Sequence, residues 1–261
     1  MNLSIRGKAA IVCGSTQGIG LAIARELAEL GATCVLLSRN EDRLRQAVKQ
    51  LPVPFAQEHG FQVADFNVTS RVKKAVETIV GNHHIHILIN NTGGPDAGAI
   101  TQAKPEDFEH AFRQHLINNQ ILAQAVLPGM KQEGYGRIIN ILSTSVRIPI
   151  DNLGVSNTIR AAVASWAKTL SNEVGQYNIT VNNVLPGSTR TARLESIIAE
   201  IAQTRKVGID MIEKEMEGRI PMKRFGRPEE IANMVAFLAS PAASYINGAS
   251  IPVDGGRTGS I

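Results

Sequence analysis

Seven short apolar runs, rich in β-branched residues, alternate along the chain with longer segments of helical period. The runs are residues 9–13, 33–38, 61–66, 86–90, 137–142, 179–185 and 250–253. The segment between the first two places Ile19, Ile23 and Leu27 on one helical face. Continuous apolar strands separated by helices are typical of a parallel sheet that is covered on both sides. The alternation therefore predicts an α/β fold with one seven-stranded, doubly wound parallel sheet and helices on both faces.

Length and composition indicate a single domain over residues 1–261. Hydrophobic residues make up 43% of the chain and charged residues 19%, which is enough apolar matter for one core of this size. The 27 basic and 23 acidic residues, with a net charge of +4, are interleaved rather than gathered into a basic stripe, so we expect no nucleic-acid partner. No apolar run approaches the ~20 residues of a membrane span, so we expect no membrane partner.

Two cysteines, Cys13 and Cys34, lie inside separate apolar runs. Buried, reduced thiols are the simplest interpretation of such positions, and they suit a reducing compartment. The start of the chain carries no signal-peptide pattern. We therefore expect a cytoplasmic protein.

Residues 192–225 interrupt the alternation with a second, longer helical stretch. Apolar residues such as Leu194, Ile198 and Ile212 recur through it at helical spacing. Because ligands of open α/β sheets bind beyond the carboxyl ends of the strands, we interpret this insertion as a substrate lid with an apolar lining. An ordinary pair of helices docked on the core is the alternative.

A glycine-rich turn joins the first predicted strand to the first helix. Its residues are Gly14, Ser15, Thr16, Gln17, Gly18, Ile19 and Gly20. Glycine allows a tight turn and a close approach of the backbone to a diphosphate, whose charge the N–H groups at a helix start favour. The spacing, G-x-x-x-G-x-G, differs from the general dinucleotide motif, G-x-G-x-x-G. We expect these seven residues to bind a dinucleotide.

Further motifs follow the glycine turn in a fixed order. They are Asn90-Asn91-Thr92-Gly93, Pro186-Gly187 with Thr191, the segment from Gly226 to Ala232, and Val253-Asp254-Gly255-Gly256. Through these ordered motifs the whole chain resembles the short-chain dehydrogenase/reductase family. Among the members of that family, it is most similar in its motifs to the 3-oxoacyl-[acyl-carrier-protein] reductases. The resemblance implies a single NAD(P)-binding Rossmann-fold domain and an oxidoreductase activity.

The same resemblance implies where the cofactor lies. Asn67 and Val68 would lie against the adenine and Asn90 beside a ribose, with Thr92 and Gly93 in the same turn. The loop after the sixth strand would surround the nicotinamide and the diphosphate through Pro186, Gly187, Thr189 and Thr191.

The end of the second strand, Ser38-Arg39, bears on the choice of cofactor. An acidic residue there would bind the free 2′-hydroxyl of NAD, and Ser38 has no carboxylate. Arg39 can pair with a 2′-phosphate and stack on adenine. We therefore predict a preference for NADP(H), with NAD(H) possible; the alternative is that Arg39 is a solvated loop charge.

The catalytic residues implied by the resemblance are a serine, a tyrosine, a lysine four residues later and an asparagine. Ungapped alignment keeps Ser143 as the serine, but places Ser156 at the tyrosine position and Arg160 at the lysine position. His115 occupies the asparagine position. An aliphatic hydroxyl is a far weaker acid than a phenol, and a guanidinium stays protonated. Arg160 would keep the positive charge beside the cofactor ribose.

Histidines offer two further possibilities. His115 titrates near neutrality in its unperturbed state and could pass on a proton through water, although a structural role is the more common one for such a histidine. The run His83-His84-Ile85-His86 lacks the cysteines or carboxylates that would complete a metal site, so we assign no metal.

These observations favour an NADP(H)-dependent oxidoreductase that reduces a ketone or aldehyde, either 3-oxoacyl-thioester-like or another apolar carbonyl. Its partner would be a small-molecule carbonyl or alcohol substrate. The alternative is a dinucleotide-binding pseudoenzyme, acting as a redox sensor or partner subunit, and non-redox chemistry in the same pocket is a third option. Family members commonly associate through segments that correspond to residues 105–130 and 154–175, so we expect a homo-oligomer, a dimer or tetramer.

Overall fold

The computed structural model describes residues 1–259, which contain one parallel sheet of seven strands. The strands are β1 (Ala9–Cys13), β2 (Thr33–Ser38), β3 (Gly60–Val63), β4 (Ile87–Asn90), β5 (Gly136–Ile141), β6 (Ile179–Pro186) and β7 (Ser250–Val253). Their spatial order is β3-β2-β1-β4-β5-β6-β7, with every neighbouring pair parallel. This confirms the predicted doubly wound α/β fold. The last two residues of the predicted domain, Ser260 and Ile261, lie outside the described residues.

Helices cover both faces of the sheet. They are α1 (Gly18–Glu29), α2 (Glu41–Lys49), α3 (Thr69–Asn82), α4 (Pro105–Phe112), α5 (Asn118–Glu133), α6 (Gly154–Val174), α7 (Ala192–Arg205), α8 (Ile209–Gly218) and α9 (Pro228–Ala239). A π-helical turn, Arg113–Ile117, joins α4 to α5 without a break. None of the helices between residues 1 and 259 is long and apolar enough to cross a membrane.

Two apolar cores lie on opposite faces of the sheet, because successive strand residues point to opposite sides. Ala10 and Val12 of β1 pack with α1, α2 and α9, whereas Ile11 and Cys13 pack with α3, α5 and α6. Cys34 belongs to the first core, so the sheet separates the two cysteines. Both are free, and burial raises the pKa of each thiol to about 12.

Strand boundaries depart from the sequence prediction most clearly at β3. The apolar run predicts a strand over residues 61–66, but β3 covers Gly60–Val63. This edge strand pairs with β2, and the ladder stops where Ser38 at the end of β2 meets Val63. The predictions for β4, β5 and β6 differ from the observed bounds by single residues at their ends.

The sheet opens a crevice between the carboxyl ends of β1 and β4. The chain leaves β1 towards α1 on one face and leaves β4 towards α4 and α5 on the other, and ligands of such sheets bind at this switch point. The predicted insertion over residues 192–225 forms α7 and α8. This helix pair has a small apolar core of its own, in which Leu194, Ile198 and Phe225 are buried.

Candidate functional site

The glycine turn between β1 and α1 is packed too closely for side chains. A Cβ on Gly20 would lie 2.1 Å from the carbonyl oxygen of Gly14, and one on Gly14 would lie 2.5 Å from the carbonyl oxygen of Asn91. Gly14 and Gly18 also adopt positive φ angles of 58° and 54°. Glycine is therefore required at these positions by contact and by backbone conformation.

The N-terminus of α1 is free to accept an anion. Gln17 precedes the helix but its side chain makes no capping hydrogen bond, and the first turn contains no acidic residue. The hydroxyl of Ser15 is fully buried without a hydrogen-bond partner. Thr16 and Ile19 remain partly accessible beside it. Unsatisfied N–H groups and a buried hydroxyl at a helix start are the donors that a diphosphate requires.

A ladder of amide side chains runs across the sheet beside this turn. Asn90 Nδ2 donates to Asn140 Oδ1 (2.8 Å), Asn140 Nδ2 donates to Asn183 Oδ1 (2.9 Å), and Asn183 Nδ2 donates to Ser250 Oγ (3.0 Å). The Oδ1 atom of Asn90, at the end of the ladder nearest β1, is buried without a partner. Such an acceptor is available to a ligand hydroxyl.

The loop after β4 is tied to the glycine turn by Asn91. Its Nδ2 donates to the carbonyl oxygens of Cys13 and Gly14, both at 3.2 Å. A Cβ on Gly93 would meet no atom within 4 Å, so this residue borders open space. In the sequence Asn91 is visible only as part of a motif, and its role as a tether depends on the fold.

The residues predicted to surround the adenosine lie around the ends of β2 and β3. Ser38 is half-buried and Arg39 is exposed, with no ion pair to any carboxylate within residues 1–259. Val68 is exposed. The Oδ1 atom of Asn67 accepts a hydrogen bond from Gln114 Nε2 (3.2 Å), which occupies one of its two lone pairs.

The loop after β6 packs against the glycine turn. A Cβ on Gly187 would lie 2.7 Å from Asp254 Cα, and one on Gly18 would lie 3.3 Å from Thr191 Cγ2. Thr189 Oγ1 donates to the carbonyl oxygen of Gly187 (3.1 Å), and Thr191 Oγ1 caps α7 by accepting from Leu194 N. Pro186 ends β6 at the same edge of the sheet. The sequence-predicted cofactor residues of these two loops thus lie together.

Two serine hydroxyls and one guanidinium lie beyond the carboxyl end of β5. Ser143 Oγ accepts a hydrogen bond from Ser145 N (3.1 Å), and buried Ser156 Oγ accepts one from Arg160 Nε (3.3 Å). Arg160 Nη1 donates to the carbonyl oxygens of Ile141 (3.2 Å) and Leu142 (2.9 Å). Burial and the nearby Arg193 lower the pKa of Arg160 to about 10, so it remains a cation at neutral pH.

His115 lies in the π-helical turn and is 5% exposed. Its Nδ1 atom is 2.7 Å from Thr92 Oγ1, and its Nε2 atom is buried without a partner. Burial, together with the charges of Arg160 and Arg193, lowers the pKa of His115 to about 3. The imidazole is therefore neutral near neutral pH, which weighs against the proton relay considered for His115.

All three tyrosines of the chain lie near the amino ends of the strands, away from the glycine turn. Tyr135 directly precedes β5, Tyr177 lies two residues before β6, and Tyr245 precedes β7. Tyr135 donates its hydroxyl proton to the carbonyl oxygen of Ala239 (2.6 Å). The amino ends of parallel strands face away from the crevice, so no phenol lies near the serine pair.

Arg193 also reaches the site, although no motif in the sequence marks it. It lies in the first turn of α7, and its Nη1 and Nη2 atoms donate to the carbonyl oxygens of Gly94 and Pro95, both at 3.1 Å. A Cβ on Gly94 would lie 3.0 Å from Arg160 Nη2 and 3.2 Å from Arg193 Nη1 and Nη2. No spacing rule connects residues 160 and 193, so only the fold brings the two guanidinium groups together.

The part of the chain that the structure describes contains no group of three or more His, Cys, Asp or Glu side chains that could hold a metal ion.

Comparison with known proteins identifies the family. A family model described as Enoyl-(Acyl carrier protein) reductase matches residues 14–258, which is nearly the whole chain. The chain belongs to the short-chain dehydrogenase/reductase family. The resemblance drawn from the glycine turn and the later motifs is thereby confirmed.

Several relatives of similar length are named as reductases. The chain is 33% identical over 260 residues to the 3-oxoacyl-[acyl-carrier-protein] reductase FabG of Aquifex aeolicus, covering 98% of this chain and 99% of that protein. It is 31% identical to the NADPH-dependent reductase BacG of Bacillus subtilis, covering 97% and 99%. The crystal structure of L-sorbose reductase from Gluconobacter frateurii, complexed with NADPH and L-sorbose, matches over 100% of both chains with a TM-score of 0.94 at 32% identity.

Proposed function

We propose that this short-chain dehydrogenase/reductase reduces a ketone or aldehyde with NADPH. The observation that carries the proposal is the hydrogen bond from Arg160 Nε to Ser156 Oγ, which leaves the serine O–H free to form a hydrogen bond with a substrate carbonyl. This serine lies beyond the carboxyl ends of the strands, as the glycine turn does. The related NADPH-dependent reductases support the reaction class.

The residues at the switch point suit a dinucleotide. The uncapped start of α1 and the unpaired hydroxyl of Ser15 offer donors to the diphosphate, and the Oδ1 atom of Asn90 offers an acceptor to a ribose hydroxyl. Arg39 would hold the 2′-phosphate. When bound, NADPH supplies the hydride.

The two serines would hold the substrate carbonyl. Ser143 Oγ accepts from a backbone N–H and Ser156 Oγ accepts from Arg160, so each hydroxyl has its own proton left to donate to the carbonyl oxygen. Hydrogen bonds placed where negative charge develops each stabilise it by about 1.5–3 kcal/mol. Ser156 and Arg160 thus replace the tyrosine and lysine that the family pattern implies. Because His115 is neutral and the tyrosines are remote, water supplies the proton and is left as hydroxide.

A dinucleotide-binding protein without turnover is the second candidate. The depressed pKa of His115 favours it, because the one histidine at the site cannot act as a general acid near neutral pH. The lack of a phenol near Ser156 also favours a protein without turnover.

We also propose that α7 and α8 form the substrate lid. Arg193 links the start of α7 to the loop after β4, which places the helix pair beside the crevice. Because the helix pair has its own apolar core, the two helices can move as a unit. For the oligomer, partly exposed Phe108 and exposed Phe112 beside Ile159 supply an apolar surface on the segments predicted to associate.

Arg39→Ala is expected to weaken NADPH binding by about tenfold or more and to leave NADH binding unchanged, because a charge-assisted hydrogen bond to the 2′-phosphate is lost. Quenching of protein fluorescence measures both affinities. Arg45→Ala is the matched control, because the Arg45 guanidinium on α2 is already paired with Glu41. Equal loss for NADPH and NADH would assign Arg39 to the adenine rather than to the phosphate.

The reaction itself is tested with purified protein, NADPH and a panel of ketones, aldehydes and oxo acids. We expect substrate-dependent loss of the nicotinamide absorbance and formation of the matching alcohol, detected by mass spectrometry. Tight NADPH binding with no alcohol from any member of the panel would favour the non-catalytic protein instead.

A further inference from the structure

Two guanidinium groups converge on the loop after β4 without a carboxylate partner. The site of a Gly94 Cβ is 3.0 Å from Arg160 Nη2 and 3.2 Å from both terminal nitrogens of Arg193. Within the described part of the chain, Arg160 donates only to carbonyl oxygens and a serine, and Arg193 only to carbonyl oxygens. Neither forms an ion pair with any carboxylate of residues 1–259. Elsewhere on α7, by contrast, Arg205 pairs with Glu215 at 2.7 Å.

The surroundings add further positive potential. Arg193 is in the first turn of α7, where the helix dipole already places positive charge and a cation is unfavourable. The Arg193 side chain is exposed to solvent, and its positive charge repels that of Arg160 unless an anion binds between them. The arrangement is therefore one that a bound anion would stabilise.

An unpaired polar atom lies in the same cluster. His115 is buried, and its Nε2 atom has no hydrogen-bond partner. If the Thr92 hydroxyl donates to Nδ1, the proton of the neutral imidazole is on Nε2, which is then a donor. With the proton on Nε2, an acceptor atom of a ligand would satisfy this buried donor beside the two arginines.

We propose that Arg193, Arg160 and His115 bind the carboxylate of the substrate, so that the preferred carbonyl compounds are oxo acids. This inference rests on the proposed carbonyl reduction, and it replaces the apolar carbonyl expected from the sequence with an anionic substrate. The planar guanidinium of Arg193 matches a carboxylate in shape and donors, and the serine pair lies at the same edge of the sheet for the carbonyl group. A phosphate of the dinucleotide carries the same kind of anionic oxygens as a substrate carboxylate. The experiment therefore has to distinguish a carboxylate of the substrate from a phosphate of the cofactor as the bound anion.

The test is calorimetric titration of the full-length protein saturated with NADP⁺. The probes are 2-oxobutyrate and 3-oxobutyrate, each paired with its neutral amide. We expect at least one acid to bind about tenfold more tightly than its amide, and Arg193→Gln to remove that difference while leaving NADP⁺ affinity and amide binding unchanged. Arg193→Lys should restore part of the preference. Arg205→Gln, on the same helix, should have no effect.

Three results would overturn the proposal: acids and amides that bind equally, acids that do not bind, and an Arg193→Gln variant that loses NADP⁺ affinity as strongly as acid affinity. The last result would assign the cluster to a cofactor phosphate. Because binding is measured without turnover, acid recognition without any alcohol product would reject the reductase function and leave the carboxylate site standing.

Discussion

Gly20→Ala is expected to abolish dinucleotide binding and to lower the free energy of unfolding by about 3 kcal/mol. The added Cβ would lie 2.1 Å from the carbonyl oxygen of Gly14 and 2.7 Å from Asn91 Nδ2. Neither group can give way alone, because Asn91 Nδ2 also holds the carbonyl oxygens of Cys13 and Gly14. The glycine turn would have to change shape, and with it the donors at the start of α1. Calorimetric melting and NADPH titration measure the two effects.

Gly81→Ala provides the control for this substitution. Gly81 lies within α3, and a Cβ there would meet no atom within 4 Å. Alanine should therefore be neutral or stabilise the helix by about 0.5–1 kcal/mol, with NADPH affinity unchanged. A Gly20→Ala protein that melts and binds like the parent would mean that the turn tolerates a side chain, against the packing described above.

Arg160→Met is expected to lower kcat about a hundredfold or more. The substitution removes the cation behind Ser156 and the donors to the carbonyl oxygens of Ile141 and Leu142. The Ser156 hydroxyl then loses the donor that orients it, and the negative charge on the carbonyl oxygen loses its nearest compensating charge. Steady-state kinetics should show the loss in kcat, because the transition state loses stabilisation, together with a higher KM for oxo acids, whose carboxylate Arg160 also binds.

Two further variants distinguish this role from a structural one. Arg160→Lys keeps the charge without the fork of donors and should recover part of the rate. Ser156→Ala should reduce kcat while leaving melting temperature nearly unchanged, since Arg160 retains its carbonyl partners. An Arg160→Met enzyme with kcat within a few-fold of the parent would remove Ser156 and Arg160 from the proposed chemistry.

The fold could be predicted because its signals are local. Each inner strand is buried on both faces and therefore has a continuous apolar sequence. The glycine turn lies between β1 and α1, as its position in the sequence indicates. The bounds of β3 were less predictable, since an edge strand ends where its neighbour ends rather than where its own apolar residues do.

The electrostatics of the site could not be predicted from local patterns. The depressed pKa of His115 comes from burial in the π-helical turn and from Arg160 and Arg193, which are distant in sequence. Arg193 carries no motif of its own, and its position depends on how α7 packs beside the loop after β4. Long-range packing of this kind sets charge and protonation, whereas local spacing sets the strands and the turn.

The central claim is that Ser156 and Arg160 assist carbonyl reduction at a site without a titrating acid, and the pH dependence of kcat/KM tests it most directly. The pKa of His115 is about 3 and that of Arg160 about 10, so both lie outside the neutral range. With NADPH and a carbonyl substrate identified in the panel, we predict a constant kcat/KM from about pH 6.5 to about pH 9. A clear ionisation within that range, absent from the His115→Asn variant, would contradict the claim and identify His115 as the acid.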